Sequence, residues 1–96
     1  MIVRYLSVAE AELDEAFIYY QEQEVGLGVR FYAEVRNTVD RIVAYPEAWS
    51  PVSEKTRKCR TKVFPYGVIY QVREDGILIV AIAHLHRRPG FWRERL

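Results

Sequence analysis

The longest apolar run in the chain, residues 77–83, restricts the possible folds more than any other feature. It consists of isoleucine, leucine, valine and alanine without polar alternation, which is typical of a strand buried on both faces. The preceding Asp75-Gly76 pair is typical of a tight hairpin turn, because both residue types tolerate positive φ angles. We therefore predict that residues 77–86 form an interior strand of a sheet and are entered through a hairpin.

The rest of the chain divides into elements by its periodicity. Apolar residues recur at helical spacing in two stretches that Gly26 and Gly28 separate. Ser7 and Glu10 stand just before the first stretch and match a capping box, in which side chains bind the unpaired amides of a helix start. The predicted elements are a strand at residues 2–6, helices at 8–24 and 27–45, a loop at 47–56, and strands at 57–64 and 68–73.

This order predicts an α+β fold. A strand is followed by a helical hairpin and then by a three-stranded antiparallel meander (β-α-α-β-β-β), with the helices packed on one face of the sheet. The first strand is expected to lie beside the last and parallel to it, because the helical crossover can return the chain in that direction. Residues 1–96, half of them apolar, are expected to form one domain, since they suffice for only one core.

The cellular setting is suggested by two features. The single cysteine, Cys59, excludes an internal disulfide and a multi-cysteine metal site. The apolar run at residues 77–83 is too short to cross a bilayer, and the chain starts with a strand-like pattern rather than a leader peptide. We expect a cytoplasmic protein that needs no membrane, no metal and no cofactor.

Charge is divided unequally along the chain, although the net charge is only +1. Residues 1–54 carry a net charge of −6, and residues 55–96 carry a net charge of +7. The C-terminal half could therefore meet an anionic partner, or the two halves could neutralise each other within the fold.

Lys58, Arg60 and Lys62 alternate along a predicted strand and would share one of its faces. Three like charges on one face repel one another unless water or an anion screens them. A phosphate ligand, an acidic partner peptide and a plainly solvated face all fit this pattern. The aromatic residues nearby that could stack bases are Phe64, Tyr66 and Tyr70.

His84 and His86 have the same strand parity and are followed directly by Arg87 and Arg88. Imidazoles exchange protons near neutral pH, and guanidinium groups stabilise the charge on a phosphate under attack. This combination suits a metal-free ribonuclease. Histidines at this spacing are also common as structural residues, and they lack a third partner for zinc.

Phe91 and Trp92 follow a Pro89-Gly90 turn near the end of the chain. The simplest interpretation is that Trp92 closes the end of the core as a hydrophobic plug, while base stacking is the alternative. The sequence has no Ser-His-Asp signature, no phosphate loop and no clustered carboxylates, which excludes hydrolases of those kinds.

Three segments carry a resemblance to a known family. The segment KVFPYGVIY at residues 62–70, the apolar strand at 79–83 and the segment HLHRRPGFW at 84–92 look like the C-terminal half of RelE/ParE superfamily toxins. Residues 19–31 and 42–46 are similar to the helical hairpin of the same superfamily. The resemblance therefore covers nearly the whole chain.

The resemblance implies the toxin of a bacterial type II toxin–antitoxin system of the plasmid-stabilisation type. Such a growth inhibitor is neutralised by a cognate antitoxin in a hetero-oligomer. RelE-like members cleave ribosome-bound mRNA without a metal, whereas ParE-like members inhibit DNA gyrase and are not enzymes. Gly67 stands where the nucleases carry an arginine, and Phe91 where they carry a tyrosine, which counts against a RelE-type mechanism. A decayed toxin, or a module that only binds an antitoxin, is a further alternative.

The resemblance also places Arg60, Lys62 and Arg87 roughly where the nucleases hold phosphate. The catalytic candidates are Arg60, Lys62, His84, His86 and Arg87. The candidates for binding nucleic acid or a partner are Lys58, Tyr66, Arg73, Arg88, Phe91 and Trp92. An acidic amphipathic segment of an antitoxin is expected to cover this basic face.

Overall fold

Two helices and five strands make up the fold of residues 1–96, all of which the computed structural model describes. The elements are β1 (Ile2–Tyr5), α1 (Ser7–Gln23), α2 (Leu27–Ala44), β2 (Ser50–Pro51), β3 (Arg57–Arg60), β4 (Tyr66–Arg73) and β5 (Gly76–His84), followed by one 3-10 turn, Arg93–Arg95.

The five strands form one mixed sheet in the order β1-β5-β4-β3-β2. β5 pairs with β4 in antiparallel and with β1 in parallel orientation, so its predicted interior position and the parallel return of the first strand are confirmed. Both faces of β5 are buried, which explains why its sequence is apolar without alternation. The predicted α+β class is confirmed as well.

The sheet is nevertheless not the simple three-stranded meander of the prediction. An additional strand, β2, pairs Ser50 and Pro51 with the start of β3, inside the stretch predicted as a loop. A two-residue strand that includes a proline has no periodicity to detect, and such a strand fits only at a sheet edge.

Two strands end earlier than predicted. β3 ends at Arg60, because the hydroxyl of Thr61 turns inward and donates to the carbonyls of Phe64 and Tyr66, at 2.9 and 3.1 Å. The prediction that Lys62 shares one strand face with Lys58 and Arg60 is therefore wrong. β5 ends at His84, so His86 also lies outside the sheet.

The first helix begins without the predicted capping box. Leu6 is the residue before the helix, and no side chain binds the helix start. Leu6 donates its amide to the carbonyl of Ile79 in β5 and accepts from the amides of Ala9 and Glu10. Because the strand passes directly into the helix, Ser7 already lies inside the first turn and cannot cap it. Neither helix combines the length and the apolar character that crossing a membrane requires.

The helical hairpin is tight at its turn, as the two glycines predict. Gly26 has a φ of 90°, and a side chain at Gly28 would lie 2.5 Å from the carbonyl oxygen of Phe17 in α1. The amide of Gly28 is bound by the side chain of Gln21. The close approach lets α1 and α2 cover the sheet together.

The hairpin between β4 and β5 is confirmed, and Gly76 has the positive φ that the prediction requires, at 155°, whereas Asp75 has none. Gly76 also faces β1, where a Cβ atom would lie 1.8 Å from the carbonyl oxygen of Ile2. The glycine therefore allows β1 to approach β5.

Two apolar clusters lie on opposite faces of the sheet. On the face that the helices cover, called the helix face here, the larger cluster includes Phe31 and Ile42 from α2 with Tyr70 and Ile79 from the sheet. On the other face, called the tail face, the smaller cluster consists of Ile69, Leu78, Val80, Ala81, Ala83 and Trp92. Residues 85–96, called the tail, bring Trp92 onto this second face.

Candidate nucleic-acid or partner interface

The tail turns back onto the sheet immediately after β5. The amide of Leu85 donates to the carbonyl of Pro65 and that of Arg87 to the carbonyl of His84, at 2.9 and 3.0 Å. Trp92 is only 4% exposed and packs on the tail-face cluster. It therefore plugs the core as its sequence position suggests.

Glu12 of α1 holds the tail in place from the other side of the sheet. Its two carboxylate oxygens accept from Arg95 in a bidentate pair, with both distances 2.8 Å. The same carboxylate accepts from Arg87 at 3.2 Å. The hydrogen bond to Glu12 raises the pKa of Arg95 above its ordinary value, against the opposing effect of burial. Arg87 and Arg95 both lie over the ring of Phe91, at 3.8 and 5.1 Å from its centre.

The Glu12–Arg95 pair also covers the outer edge of β5. β1 ends at Tyr5, opposite Ile79, so the following residues of β5 pair with β4 on one edge but have no strand partner on the other. Glu12 accepts from the amide of Ile82 at 3.1 Å, and Arg95 donates to the carbonyl of Val80 at 3.0 Å. Side chains thus satisfy the backbone groups that would otherwise remain unpaired.

Four cations around the tail face have no carboxylate within ion-pairing distance: Lys58, Arg60, Arg88 and Arg93. Lys58 and Arg60 alternate with the buried Cys59, whose side chain belongs to the helix-face cluster, so both cations point to the tail face. The stem of Lys58 lies flat across Gly67, where a Cβ atom would come within 2.9 Å of it. The glycine that departs from the nuclease pattern therefore makes room for Lys58.

Three of these cations, Lys58, Arg88 and Arg93, line a groove of about 240 Å³ between β3 and the tail, called the tail groove here. Its walls also include Ile69, His84, Arg87, Phe91 and Trp92. Apolar surface with cations at the edge suits an acidic ligand that also carries apolar groups.

Lys62 lies in a strained loop between β3 and β4. The amide of Phe64 donates to the carbonyl of Lys62 at 2.8 Å, which gives Val63 a φ of 74°. Val63 is 91% exposed, so packing does not compensate the strain of this β-branched residue. The amide of Lys62 donates to the carboxylate of Glu34 in α2 at 2.6 Å, and the Lys62 side chain has no ion-pair partner.

His84 and His86 meet in space, although His86 lies beyond the strand. Their ring centres are 5.0 Å apart, and the amide of His86 donates to Nδ1 of His84 at 3.1 Å. Nδ1 of His84 is therefore a hydrogen-bond acceptor. The ring packs edge-on against Tyr66, with 5.2 Å between ring centres. His84 and Tyr66, with Glu12, Tyr19 and Arg87, line a cleft of about 290 Å³ on the helix face.

The aromatic residues of β4 are mostly occupied by the core. Tyr66 packs with Tyr20 and Phe31, and burial raises its pKa. Tyr70 is fully buried, and its hydroxyl donates to the carbonyl of Pro46. The idea that Tyr70 stacks bases is therefore wrong. Phe64 packs in the same cluster as Tyr20 and Phe31.

The structure brings together only some of the candidate residues. Lys58 and Arg60 point to the tail face, whereas Tyr66 packs on the helix face. His84 and Arg87 lie between them, because both line the helix-face cleft as well as the tail groove, and Arg87 is ion-paired with Glu12. The candidates on the tail side are Lys58, Arg60, Arg88, Phe91 and Trp92. Arg73 lies apart from all of them at the far end of β4, about 24 Å along the strand from Tyr66.

Glu12 is the functional candidate that the sequence did not reveal. It is one of several acidic residues on the polar side of α1, and nothing in its spacing distinguishes it from Asp14 or Glu15. Its side chain is 12% exposed, which only the packing of the tail explains. The one available signal was the excess of arginine in the tail, which is compatible with an acidic partner elsewhere in the chain.

The fold and this surface define a small α+β protein with a basic groove suited to binding a larger partner. A sequence model of the ParE toxins of the type II toxin–antitoxin system parDE matches residues 3–89. The chain therefore belongs to the ParE toxin family, as the resemblance noted in the sequence predicts. The members of this family are toxins of type II toxin–antitoxin systems.

Solved structures agree with this fold. A chain of the chromosomal ParDE toxin–antitoxin system from P. aeruginosa superposes with a TM-score of 0.75 at 21% sequence identity, over 88% of this chain and 95% of that one. At this identity the match demonstrates a common fold. A comparison with curated proteins gave no significant match.

Proposed function

We propose that the protein is a toxin that inhibits DNA gyrase by binding it, and that a cognate antitoxin neutralises it in the cytoplasm. The family and its fold support the toxin role. The P. aeruginosa relative is a component of a ParDE system, which supports an antitoxin as the partner of this chain.

One observation favours DNA gyrase over mRNA as the target of the toxin. A metal-free ribonuclease needs its proton-transfer groups and its phosphate-binding cations around one scissile phosphate, within hydrogen-bond reach of it. Here His84 packs against Tyr66 where the helix-face cleft and the tail groove meet, Lys58 lines only the tail groove, and Arg60 and His86 line neither. Arg87 borders both, but it is ion-paired with Glu12. This division favours a binding surface over an active site.

The tail groove is the part of this surface that we assign to partners. Its unpaired cations attract an acidic segment, and its apolar walls bury the apolar residues of that segment. An antitoxin segment of that chemistry would neutralise the toxin by occupying the groove in competition with gyrase.

Purified protein tests the proposal in two parallel assays. We expect it to inhibit supercoiling by DNA gyrase and to stabilise gyrase–DNA cleavage complexes. In a translation reaction we expect the mRNA to stay intact. The variant Lys58→Gln/Arg88→Gln should need about tenfold more protein for the same inhibition, because two unpaired cations of the groove are lost.

Arg36→Gln, an exposed arginine on α2 without an ion pair, is the matched control and should inhibit like the wild type. Full supercoiling activity at excess wild-type protein would overturn gyrase as the target. Equal inhibition by the double variant and the wild type would overturn the role of the tail groove.

A ribonuclease is the second candidate, and the histidine pair beside Tyr66 is the observation that favours it. In that case the translation reaction would show mRNA cut at defined codon positions. His84→Gln and Arg60→Ala would each abolish the cuts, while supercoiling by gyrase would proceed normally in the presence of the wild-type protein.

A further inference from the structure

We propose that Glu12 is a positioning residue: from the helix side it fixes the tail against the sheet, and it thereby sets the shape of the tail groove. The proposal deepens the proposed function and rests on it where it concerns gyrase, because that groove is the surface assigned to the target.

Glu12 is the only carboxylate that joins the tail to the rest of the chain by an ion pair. The protein contains five ion pairs, and the two that involve the tail, from Arg87 and Arg95, both end on Glu12. The side chains of Glu12 and Arg95 are 12% and 15% exposed, whereas both sides of the Arg4–Asp75 pair are about half exposed. The Glu12 pair is therefore poorly screened by water and salt, and its bidentate geometry restricts the orientation of Arg95.

The contacts of Glu12 continue without a gap to the wall of the groove. Arg87 and Arg95 both lie over the ring of Phe91, and Phe91 and the buried Trp92 form one wall of the tail groove. Arg88 and Arg93 are attached to this wall and carry its unpaired charges. A shift of Arg95 would therefore move the cations that a partner meets.

The backbone of β5 holds the same arrangement together. If the tail moved away, the carbonyl of Val80 would lose Arg95 as its donor. The amide of Ile82 depends on Glu12 in the same way. Unpaired backbone groups at a partly buried edge are unfavourable, so Glu12, Arg95 and the edge of β5 should act as one unit.

The test compares Glu12→Gln with the wild type. Glutamine keeps an acceptor for Ile82 but loses the charge that binds both arginines. We expect backbone amides of residues 85–96 to exchange hydrogen about tenfold faster, or more, while those of α2 stay within about twofold, because the loss of a charged hydrogen bond is local. Inhibition of gyrase should weaken by about tenfold as well, since the groove wall is no longer fixed.

Glu24→Gln is the matched control, because it removes the same charge directly after the end of α1, at an exposed pair with Arg30. We expect it to leave both tail exchange and gyrase inhibition at the wild-type level. Arg95→Gln should reproduce the effect of Glu12→Gln, and the double variant should be no worse than either single variant, since all three break the same unit. Arg95→Lys, which keeps the charge and loses the bidentate geometry, serves if Glu12→Gln does not fold.

The outcomes separate this inference from the proposed target. Unchanged tail exchange in Glu12→Gln overturns the positioning role, as does accelerated exchange with unchanged inhibition of gyrase. Additive effects of Glu12→Gln and Arg95→Gln also count against it. If the wild-type protein does not inhibit gyrase, gyrase is not the target. The positioning role of Glu12 is then tested by hydrogen exchange of the tail amides alone: faster exchange in Glu12→Gln supports this role, and unchanged exchange overturns it.

Discussion

The helix face and the tail face of the sheet are closed in very different ways. Two helices of 17 and 18 residues cover the first face and bury a cluster of thirteen residues against it. Twelve residues with only one short helical turn cover the second face, where the cluster has six residues. The helix face is therefore maintained by many apolar contacts, whereas the tail face depends on Trp92 and on the ion pairs of Glu12.

The cations of the two faces differ in whether they have acidic partners. On the helix side Arg41 is engaged by Glu34, by Thr38 and by the carbonyl of Arg60. Four cations around the tail face have no acidic partner: Lys58, Arg60, Arg88 and Arg93. No helix covers this face as α1 and α2 cover the other, and a groove remains between β3 and the tail. The comparison suggests that one face provides the stability and the other provides the surface for partners.

The largest expected effect comes from the residue on which the tail face depends. Trp92→Ala should lower the free energy of unfolding by about 3–5 kcal/mol, because it opens a cavity under the tail that the short tail can only partly fill. Urea unfolding followed by circular dichroism measures the loss.

Tyr45→Ala is the control for that experiment, since Tyr45 is two-thirds exposed and its removal should change the free energy of unfolding by no more than about 0.5 kcal/mol. A loss below about 1 kcal/mol for Trp92→Ala would contradict the idea that the tail face is closed mainly by this one side chain.

The elements that the sequence predicted are those with local causes. The apolar run of β5, the β4–β5 hairpin and the two amphipathic helices each carry their signal within about ten residues, and all of them are present. The parallel return of β1 followed from a general rule of chain topology. Local pattern was sufficient there because burial follows a regular pattern along each element, at nearly every residue of β5 and at helical spacing in α1 and α2.

The parts that the sequence did not predict depend on contacts between distant residues. Glu12 meets Arg95 across 83 positions of the chain, and the end of β3 is decided by where the hydroxyl of Thr61 finds its acceptors. The capping box failed because Leu6 stays in the sheet until the helix begins. The candidate site is dispersed for a similar reason, since Arg60 follows the alternation of β3, and His84 lies at the end of β5 between the helix-face cleft and the tail groove.

A second, smaller effect distinguishes the helix face. Burial raises the pKa of Tyr70 to about 12, well above its ordinary value. The folded protein therefore keeps a proton that the unfolded chain releases above about pH 10, and stability falls by about 1.4 kcal/mol per pH unit from there to about pH 12. Urea unfolding at pH 9 and pH 11 should show this loss.

Tyr70→Phe should reduce the loss between pH 9 and pH 11 by about 1.4 kcal/mol, since phenylalanine has no proton to release. Tyr45→Phe, at an exposed site, should leave the loss of stability between pH 9 and pH 11 unchanged. The same pH dependence in the Tyr70→Phe variant and in the wild type would mean that the helix face opens to water at alkaline pH.

A third effect of opposite sign is expected at the loop that joins β3 and β4. Val63 has a φ of 74° and is almost fully exposed, so it carries strain without the benefit of burial. Val63→Gly should raise the free energy of unfolding by about 1 kcal/mol, after the greater freedom of glycine in the unfolded chain is subtracted. Ala33→Gly, at an exposed site within α2, is the control and should lower it by about 1 kcal/mol. A loss of stability in Val63→Gly would mean that the side chain makes contacts that its exposure does not suggest.

The smallest effect on stability concerns the unpaired cations, and it is the sharpest test of the division between the two faces. Lys58→Gln and Arg88→Gln should each change the free energy of unfolding by no more than about 0.5 kcal/mol, because neither side chain has an ion-pair partner to lose. Arg95→Gln, which removes a similar charge from the tail, should cost about 1–3 kcal/mol, since the carboxylate of Glu12 loses its bidentate pair and the carbonyl of Val80 loses its side-chain donor. Urea unfolding of the three variants measures this ranking. Equal losses at all three positions would mean that the tail-face cations stabilise the fold. Their lack of an ion pair would then be no sign that they bind a partner.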